Sequence, residues 1–227
     1  MKKNFKIGIF TSSFLPAEGG AEIGLHNLAN SFIKQNLDVT VITSFRHFLS
    51  LKKKHIELPY KVISFPPKVF HLLSKFNIIG YLYFSLFFEY LRRKKNFDIW
   101  HISFAYPLGV NAIKYCIKKK IPHVMMCHGE DIQINKYLNY GIRRDKKVNK
   151  IIKFWLPKAD TLIANSESII AEYNKIKVKK IELIPFGIDL KRVNNYSVKK
   201  KIREFFGIPD KGIVFLCLGR YHPKKNF

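Results

Sequence analysis

Short, nearly continuous apolar runs alternate along the chain with longer segments in which apolar residues recur at helical spacing. Runs that polar residues do not interrupt indicate parallel strands covered on both faces. The predicted strands are Lys6–Phe10, Val39–Thr43, Val62–Phe65, Ile99–Ser103, His123–His128, Thr161–Asn165, Ile181–Pro185 and Ile213–Leu218. The predicted helices are Ala21–Gln35, Lys68–Lys94, Leu108–Lys119, Lys147–Trp155, Glu167–Lys175 and Val198–Phe206.

This alternation predicts an α/β fold, a Rossmann-like, doubly wound parallel sheet. A polar, basic stretch begins after Ile184–Asp189, where proline and glycine interrupt a strand. We therefore predict a first domain over residues 1–190. Residues 191–227 are predicted to begin a second Rossmann-like domain with its first helix and strand. Ligands of such sheets bind at the carboxyl ends of the strands, so the loops there are the first candidates for a site.

The chain is strongly basic, with 41 Lys and Arg against 16 Asp and Glu and a formal net charge of +25. Such an excess predicts a polyanionic partner, which is nucleic acid, an anionic membrane surface or a phosphorylated substrate. A general bias towards lysine on solvated faces is the alternative. The lysine clusters Arg143–Lys153 and Lys175–Lys180 match no nucleic-acid motif and are not organised around stacking aromatics, which disfavours nucleic acid.

One apolar, aromatic segment, Phe70–Leu91, ends in the basic run Arg92–Lys95. Its uncharged centre is shorter than the roughly 20 residues that a membrane-spanning helix needs. Two interpretations stay open: a helix that lies on an anionic bilayer, and a buried helix of the core. Because a strand begins at Lys6, no signal peptide is expected, and we predict a cytoplasmic protein, peripheral on the inner face of the cell membrane.

The cysteines Cys116, Cys127 and Cys217 lie in apolar runs and have no metal-ligand spacing, which predicts buried, reduced thiols. No paired His-x-x-x-His or Cys-x-x-Cys is present, so no metal site is predicted. The G-x-S-x-G elbow of a serine nucleophile and the Walker phosphate loop are also missing from the sequence.

The loop after the first predicted strand carries a glycine pair, Gly19 and Gly20, where a helix begins. This spacing departs from a dinucleotide fingerprint, which has its glycines in a tight turn directly after the strand. The amides at the start of a helix and the helix dipole favour phosphate or sugar oxygens. The alternative is a long loop with a simple Gly-Gly entry to the helix.

His128 ends the predicted strand His123–His128 and is followed by Gly129, Glu130 and Asp131. A histidine at the carboxyl end of a parallel strand is placed to orient a ligand hydroxyl or to stabilise charge near a reacting carbon. The two acids either contact sugar hydroxyls or cap the next helix. The other histidines lack such a context and are assigned no role.

The last predicted strand runs into Gly219 and Arg220, with Lys225 close behind. Glycine allows close approach of the backbone, arginine offers a planar fork of donors, and lysine adds a point charge. The sequence therefore predicts an anion-binding turn here.

Together these pieces resemble one family, the GT-B-fold glycosyltransferases of family 4. The similar motifs follow in the family's order and cover essentially the whole chain. They are Gly19–Glu22, His128–Asp131, Ala159–Ser166, Ile184–Asp189 and Gly219-Arg220 with Lys225-Asn226.

The resemblance implies a retaining, metal-independent transfer from a nucleotide-sugar donor, without another cofactor. The acceptor would be a glycan or a lipid-linked molecule of envelope polysaccharide or lipopolysaccharide synthesis. Gly19 and Gly20 would close on the donor phosphates and the acceptor, and Arg220 and Lys225 would grip the diphosphate. His128 would lie near the transferred sugar. The remaining candidates for sugar or acceptor contacts are Glu22, Glu130 and Asp131.

One departure from the family is the missing Glu-x7-Glu pair of its second domain, for which this sequence has no counterpart. We therefore expect a chain that is truncated after the start of the second domain and has little activity alone. The alternative function is a non-enzymatic basic module that binds a membrane surface or nucleic acid.

Overall fold

The computed structural model describes residues 5–65, 77–188, 190, 199–209, 211–219 and 223, with the backbone alone for 77–80 and 199. Two compact units are present, Met1–Phe186 and Gly187–Phe227. The division falls a few residues before the boundary predicted at residue 190, and the domain assignment itself stays a prediction.

The strands of the first unit are β1 (Lys6–Thr11), β2 (Asp38–Thr43), β3 (Lys61–Ser64), β4 (Ile99–Ser103), β5 (His123–Met126), β6 (Thr161–Ala164) and β7 (Ile181–Leu183). Its helices are α1 (Gly20–Lys34), α2 (Phe45–Lys53), α3 (Asn77–Lys95), α4 (Val110–Lys119), α5 (Lys146–Trp155) and α6 (Glu167–Lys175). Short helical turns lie at Ala105–Gly109, Ile142–Arg144 and Leu156–Lys158. The second unit contains α7 (Lys199–Phe205).

All seven strands pair in parallel, in the order β3-β2-β1-β4-β5-β6-β7. The chain winds outward from β1 in one direction and then from β4 in the other, so the predicted doubly wound sheet is confirmed. The winding reverses between β1 and β4, and the loops that leave their carboxyl ends diverge there. Such a reversal opens the crevice in which doubly wound sheets bind ligands.

The strands are apolar on both sides because a helical layer covers each face. Ile9 and Val41 point towards α1 and α2 and pack with Leu25 of α1. The neighbouring residues Phe10 and Ile42 point to the opposite face. Helices α3 to α6 cover that second face with the core residues Phe84, Phe88, Leu91, Ile113, Tyr115, Ile152, Ile169 and Tyr173.

Helix α3 settles the interpretation of the apolar segment for the part that the structure describes. Phe84 and Phe88 are buried in the core, where Phe88 packs against Trp100 with ring centroids 5.4 Å apart. The core interpretation is therefore confirmed for this face of the helix. Leu86 and Tyr90 lie on the other face and are exposed. Residues 66–76 fall outside the described residues, and within the described part of the chain no helix is long and apolar enough to cross a bilayer.

Two expectations about the chain beyond residue 187 are wrong. Residues Ile213–Leu218 were expected to form a strand, but no strand is assigned there. A strand needs a neighbour for its backbone groups, and the described residues of the second unit provide a single helix. Cys217 is consequently exposed, unlike the buried Cys116 and Cys127. The loop is held instead by Arg203 of α7, whose guanidinium donates to the carbonyl oxygens of Pro209 and Gly212.

Substitution by alanine should cost more free energy of unfolding on the inner face of α3 than on its outer face. Phe88→Ala removes a fully buried ring from the core and should lower the free energy of unfolding by about 3–5 kcal/mol. Leu86→Ala, on the same helix but 74% exposed, is the matched control and should change it by less than about 0.5 kcal/mol. Urea unfolding of both variants measures the difference. Equal costs would mean that the helix is turned differently.

Candidate functional site

The candidate site lies at the carboxyl edge of the sheet, on both sides of the reversal between β1 and β4. The loop after β1 leads to the glycine pair at the start of α1, and the segment after β5 carries His128. The strand β4 lies between β1 and β5 in the sheet. The fold thus brings Gly19, Gly20 and His128 to one edge of the first unit. Arg220 and Lys225 lie outside the described residues, and their predicted role stays a prediction.

The loop after β1 is closed by hydrogen bonds among its own side chains. Thr11 Oγ1 donates to the carbonyl oxygen of Ser13 at 2.6 Å, and Ser13 Oγ donates to Glu22 Oε1 at 2.5 Å. Glu22 lies in the first turn of α1 and folds back over Gly19, where an added Cβ would lie 2.1 Å from its Oε2. Gly20 faces open space. Gly19 therefore makes room for the carboxylate of Glu22, whereas Gly20 is left uncovered.

His47 extends this cluster and was not singled out by the sequence. Its Nε2 lies 3.5 Å from Ser13 Oγ. Burial and the neighbouring Arg46 lower the pKa of His47, and the carboxylate of Glu22 opposes them. The available signal was its place shortly after β2, at the same edge of the sheet as His128.

His128 lies between two phenylalanine rings. The Phe104 ring centroid is 4.7 Å from the imidazole centroid, and the Phe186 ring is parallel to the imidazole at 5.9 Å. Both imidazole nitrogens are buried and have no hydrogen-bond partner among the described residues. Burial, reinforced by the nearby His101, lowers the pKa of His128 to about 3. The neutral ring has one donor and one acceptor for a ligand hydroxyl.

Asp131 fixes the backbone around His128. Its Oδ1 accepts from the backbone N–H groups of His128 at 2.8 Å and Gly129 at 3.1 Å, and its Oδ2 accepts from that of Ala105 at 2.9 Å. The residue is buried in a turn and does not cap a helix. Contact with a sugar hydroxyl stays a prediction for Asp131 and for Glu130, which is exposed.

A buried polar row lies beneath the site and was not predicted. Thr43 and Ser103 end β2 and β4, and His101 precedes Ser103 on the same side of β4. Each has a buried side-chain atom, Thr43 Oγ1, Ser103 Oγ and His101 Nδ1, for which the described residues provide no partner. Buried polar groups are rarely left unpaired in native proteins, so these three atoms are further candidates for ligand contacts at this edge.

The first unit has the kind of doubly wound parallel sheet that is found in GT-B-fold enzymes. Sucrose-phosphate synthase from Thermosynechococcus elongatus superposes with a TM-score of 0.58 and 14% identity, over 92% of this chain and 54% of that structure. The sequence model of Glycosyltransferase Family 4 matches residues 18–192. The chain belongs to this family.

Two curated relatives match nearly the whole chain. Alpha-monoglucosyldiacylglycerol synthase of Streptococcus pneumoniae is 26% identical over 229 residues, which cover 97% of this chain and 50% of the relative. N-acetyl-alpha-D-glucosaminyl L-malate synthase of Bacillus anthracis is 25% identical over 239 residues, which cover 97% of this chain and 55% of the relative. The chain spans about half the length of these relatives. Within the described part of the chain, no group of three or more potential ligands is placed to hold a metal ion.

The buried His101 makes stability depend on pH. Burial lowers its pKa to about 4, below the value of about 6.5 in the unfolded chain. Protons therefore bind the unfolded state preferentially, and the full stability present above pH 6.5 is lost progressively as the pH falls to about 4. We expect a loss on the order of 1–2 kcal/mol from this ring between about pH 7 and about pH 5.

Urea unfolding across this pH range measures the effect. His101→Gln should reduce the pH dependence by the share of this ring, while the contribution of His128, whose pKa burial also lowers, remains. His55→Gln makes the same change at an exposed position and is the control for the substitution itself. A His101→Gln variant with the wild-type slope would contradict the assignment.

Proposed function

We propose that this chain is the acceptor-side part of a glycosyltransferase that moves a sugar from a nucleotide-sugar donor to a glycan or lipid-linked acceptor. Retention at the anomeric carbon and independence of metal follow the family resemblance. The observation that carries the proposal is the position of His128. It follows β5 beside the reversal of the sheet, and both of its nitrogens are unpartnered among the described residues.

The environment of His128 suits a hydrogen bond to an uncharged group of the sugar. Since its pKa is about 3, the imidazole is neutral at physiological pH and contributes no formal charge. A hydrogen bond formed where water is excluded favours a ligand that carries the matching hydroxyl over one that lacks it, because a buried group left unpaired costs about 1–3 kcal/mol. The role we assign to His128 is therefore to orient a sugar hydroxyl near the reacting carbon.

The departing diphosphate requires positive charge, since negative charge develops there in the transition state. We assign this role to Arg220 and Lys225 on the resemblance alone. The amides at the start of α1 are the complementary group of the first unit. No protein nucleophile is needed for such a transfer.

The acceptor class is proposed from the relatives' names and from the charge of the chain. One relative is named as a synthase of a glucosyldiacylglycerol, which is a lipid, and the other as a synthase of an N-acetylglucosaminyl L-malate. The net charge of +25 favours a lipid acceptor in an anionic membrane. We therefore propose envelope glycan or glycolipid synthesis on the inner face of the cell membrane.

The outer face of α3 is the proposed contact with the bilayer. Leu82, Leu86 and Tyr90 recur every fourth residue along one side of the helix and are all exposed. The only acidic residue of the helix, Glu89, is paired with Arg92 at 2.6 Å and with Arg93 at 2.8 Å, so its charge does not oppose an anionic surface. An apolar stripe beside basic residues is typical of helices that lie in the membrane interface.

Sugar transfer tests the role of His128. A protein of the relatives' full length that contains these 227 residues is purified. It is assayed with radiolabelled nucleotide sugars and with diacylglycerol vesicles or malate as acceptor. His128→Ala should lower kcat by about 100-fold, because an oriented hydrogen bond at the reacting sugar is lost. His55→Ala, an exposed histidine in the loop before β3, is the matched control and should retain wild-type turnover.

Circular dichroism shows whether His128→Ala keeps the fold. Unchanged turnover in this variant would remove His128 from the mechanism. A wild-type protein of the relatives' full length that transfers no sugar from any donor would contradict the proposed function itself.

Vesicle binding tests the membrane contact. Co-sedimentation with phosphatidylglycerol vesicles should exceed that with phosphatidylcholine vesicles and should weaken at high salt. Leu86→Glu places a charge in the apolar stripe and should lower the affinity roughly tenfold. Leu49→Glu makes the same change on α2, in the opposite helical layer, and should bind like the wild type. Equal binding to both kinds of vesicle would exclude the proposed contact.

A further inference from the structure

Phe186 covers the imidazole of His128. It follows β7 in the chain, and its ring is parallel to the imidazole within 2°, with the centroids 5.9 Å apart. Phe104 packs against the same imidazole at 4.7 Å. Both rings thus pack against an imidazole whose two nitrogens are buried.

The Phe186 ring packs directly against Gly24. A Cβ added at Gly24 would lie 2.7–2.8 Å from three carbon atoms of that ring, well inside van der Waals contact. Gly24 lies in the interior of α1, where glycine is less favourable than alanine by about 1 kcal/mol. The close approach of Phe186 gives a physical reason for glycine at this position.

The backbone ladder holds Phe186 only loosely. The N–H of Ile184 donates to the carbonyl oxygen of Ala164 at 2.8 Å, and this bond lies just beyond the end of β7. Phe186 follows two residues later, between Pro185 and the exposed Gly187. Beyond this bond, the described contacts of the ring are those with His128 and Gly24.

The covered state is incompatible with ligand binding by His128. Both nitrogens are buried without a partner, and an unpaired buried polar group is costly. No sugar hydroxyl can reach either nitrogen while the imidazole is enclosed.

We propose that Phe186 is a removable cover of His128, packed against Gly24 and displaced when the sugar binds. The identity of the displacing ligand rests on the proposed function. The cover itself does not, since it is defined by contacts within the first unit.

Chemical modification of histidine tests the cover without any assay of transfer. Diethyl pyrocarbonate acylates neutral imidazole nitrogens that solvent can reach, and peptide mass spectrometry reports the rate at each histidine. In the wild type, His128 should react slowly, the exposed His55 should react fast, and the buried His101 should stay protected. Phe186→Ala should raise the rate at His128 about tenfold or more, because protection reflects the closed fraction.

Gly24→Ala is the second variant, and it leaves the phenylalanine in the chain. The new methyl group displaces the ring, while alanine favours the helix, so the variant is expected to fold. It should also raise the rate at His128. In the double variant Gly24→Ala/Phe186→Ala, the rate should equal that of Phe186→Ala alone, because the methyl group then has no ring to displace. Phe186→Tyr, which keeps the ring, should retain the slow rate.

Wild-type rates at His128 in both single variants would overturn the proposal. So would an equal rise at His101, which would reveal loosening of the whole unit. A bound sugar would itself shield the nitrogens, so ligand binding is read in Phe186→Ala, where the imidazole is uncovered. If the variants behave as expected but neither a nucleotide sugar nor an acceptor slows the modification of His128 in Phe186→Ala, the cover stands and the proposed function fails. Protection of His128 by such a ligand in this variant would support both.

Discussion

The carboxylate of Asp131 is the interaction on which the arrangement of the site depends. It accepts hydrogen bonds from the segments that leave β4 and β5, and so joins two neighbouring strand ends through one buried side chain. Burial raises the pKa of Asp131, and the bonds from the backbone of His128 and Ala105 lower it. The hydrogen bonds thus offset part of the cost of burying the carboxylate. In return, the carboxylate fixes the position of the His128 backbone.

The fold was predictable because its strands are covered on both faces, which makes them short apolar runs. The site was predictable only in part. His128 was found because it follows a strand directly, a signal that lies within one short segment. Phe186 and Gly24 act through a contact between residues far apart in sequence, which no local pattern contains. Asp131 was a candidate, but its bond to the distant Ala105 could not be predicted from the sequence. The strand expected at Ile213–Leu218 failed for a related reason. Its apolar composition favours a strand, but composition does not supply the neighbouring strand with which it must pair.

The sequence left two interpretations open for helix α3. The structure confirms the core interpretation on one side of the helix, and the bilayer contact is a proposal for the other side. Its inner side contributes Phe84, Phe88 and Leu91 to the core, and its outer side presents Leu82, Leu86 and Tyr90. A helix that is apolar all round is normally buried all round. Here the second side remains uncovered in the first unit, which is why one helix serves the core with one set of residues and is proposed as a bilayer contact with another.

The folded-back side chain of Glu22 has a consequence for the binding of anions. Its carboxylate, held by Ser13 and lying over Gly19, places a tethered negative charge at the positive end of α1. Like charges repel, so any anionic group that approaches the amides at the start of α1 has to overcome this carboxylate or move it aside.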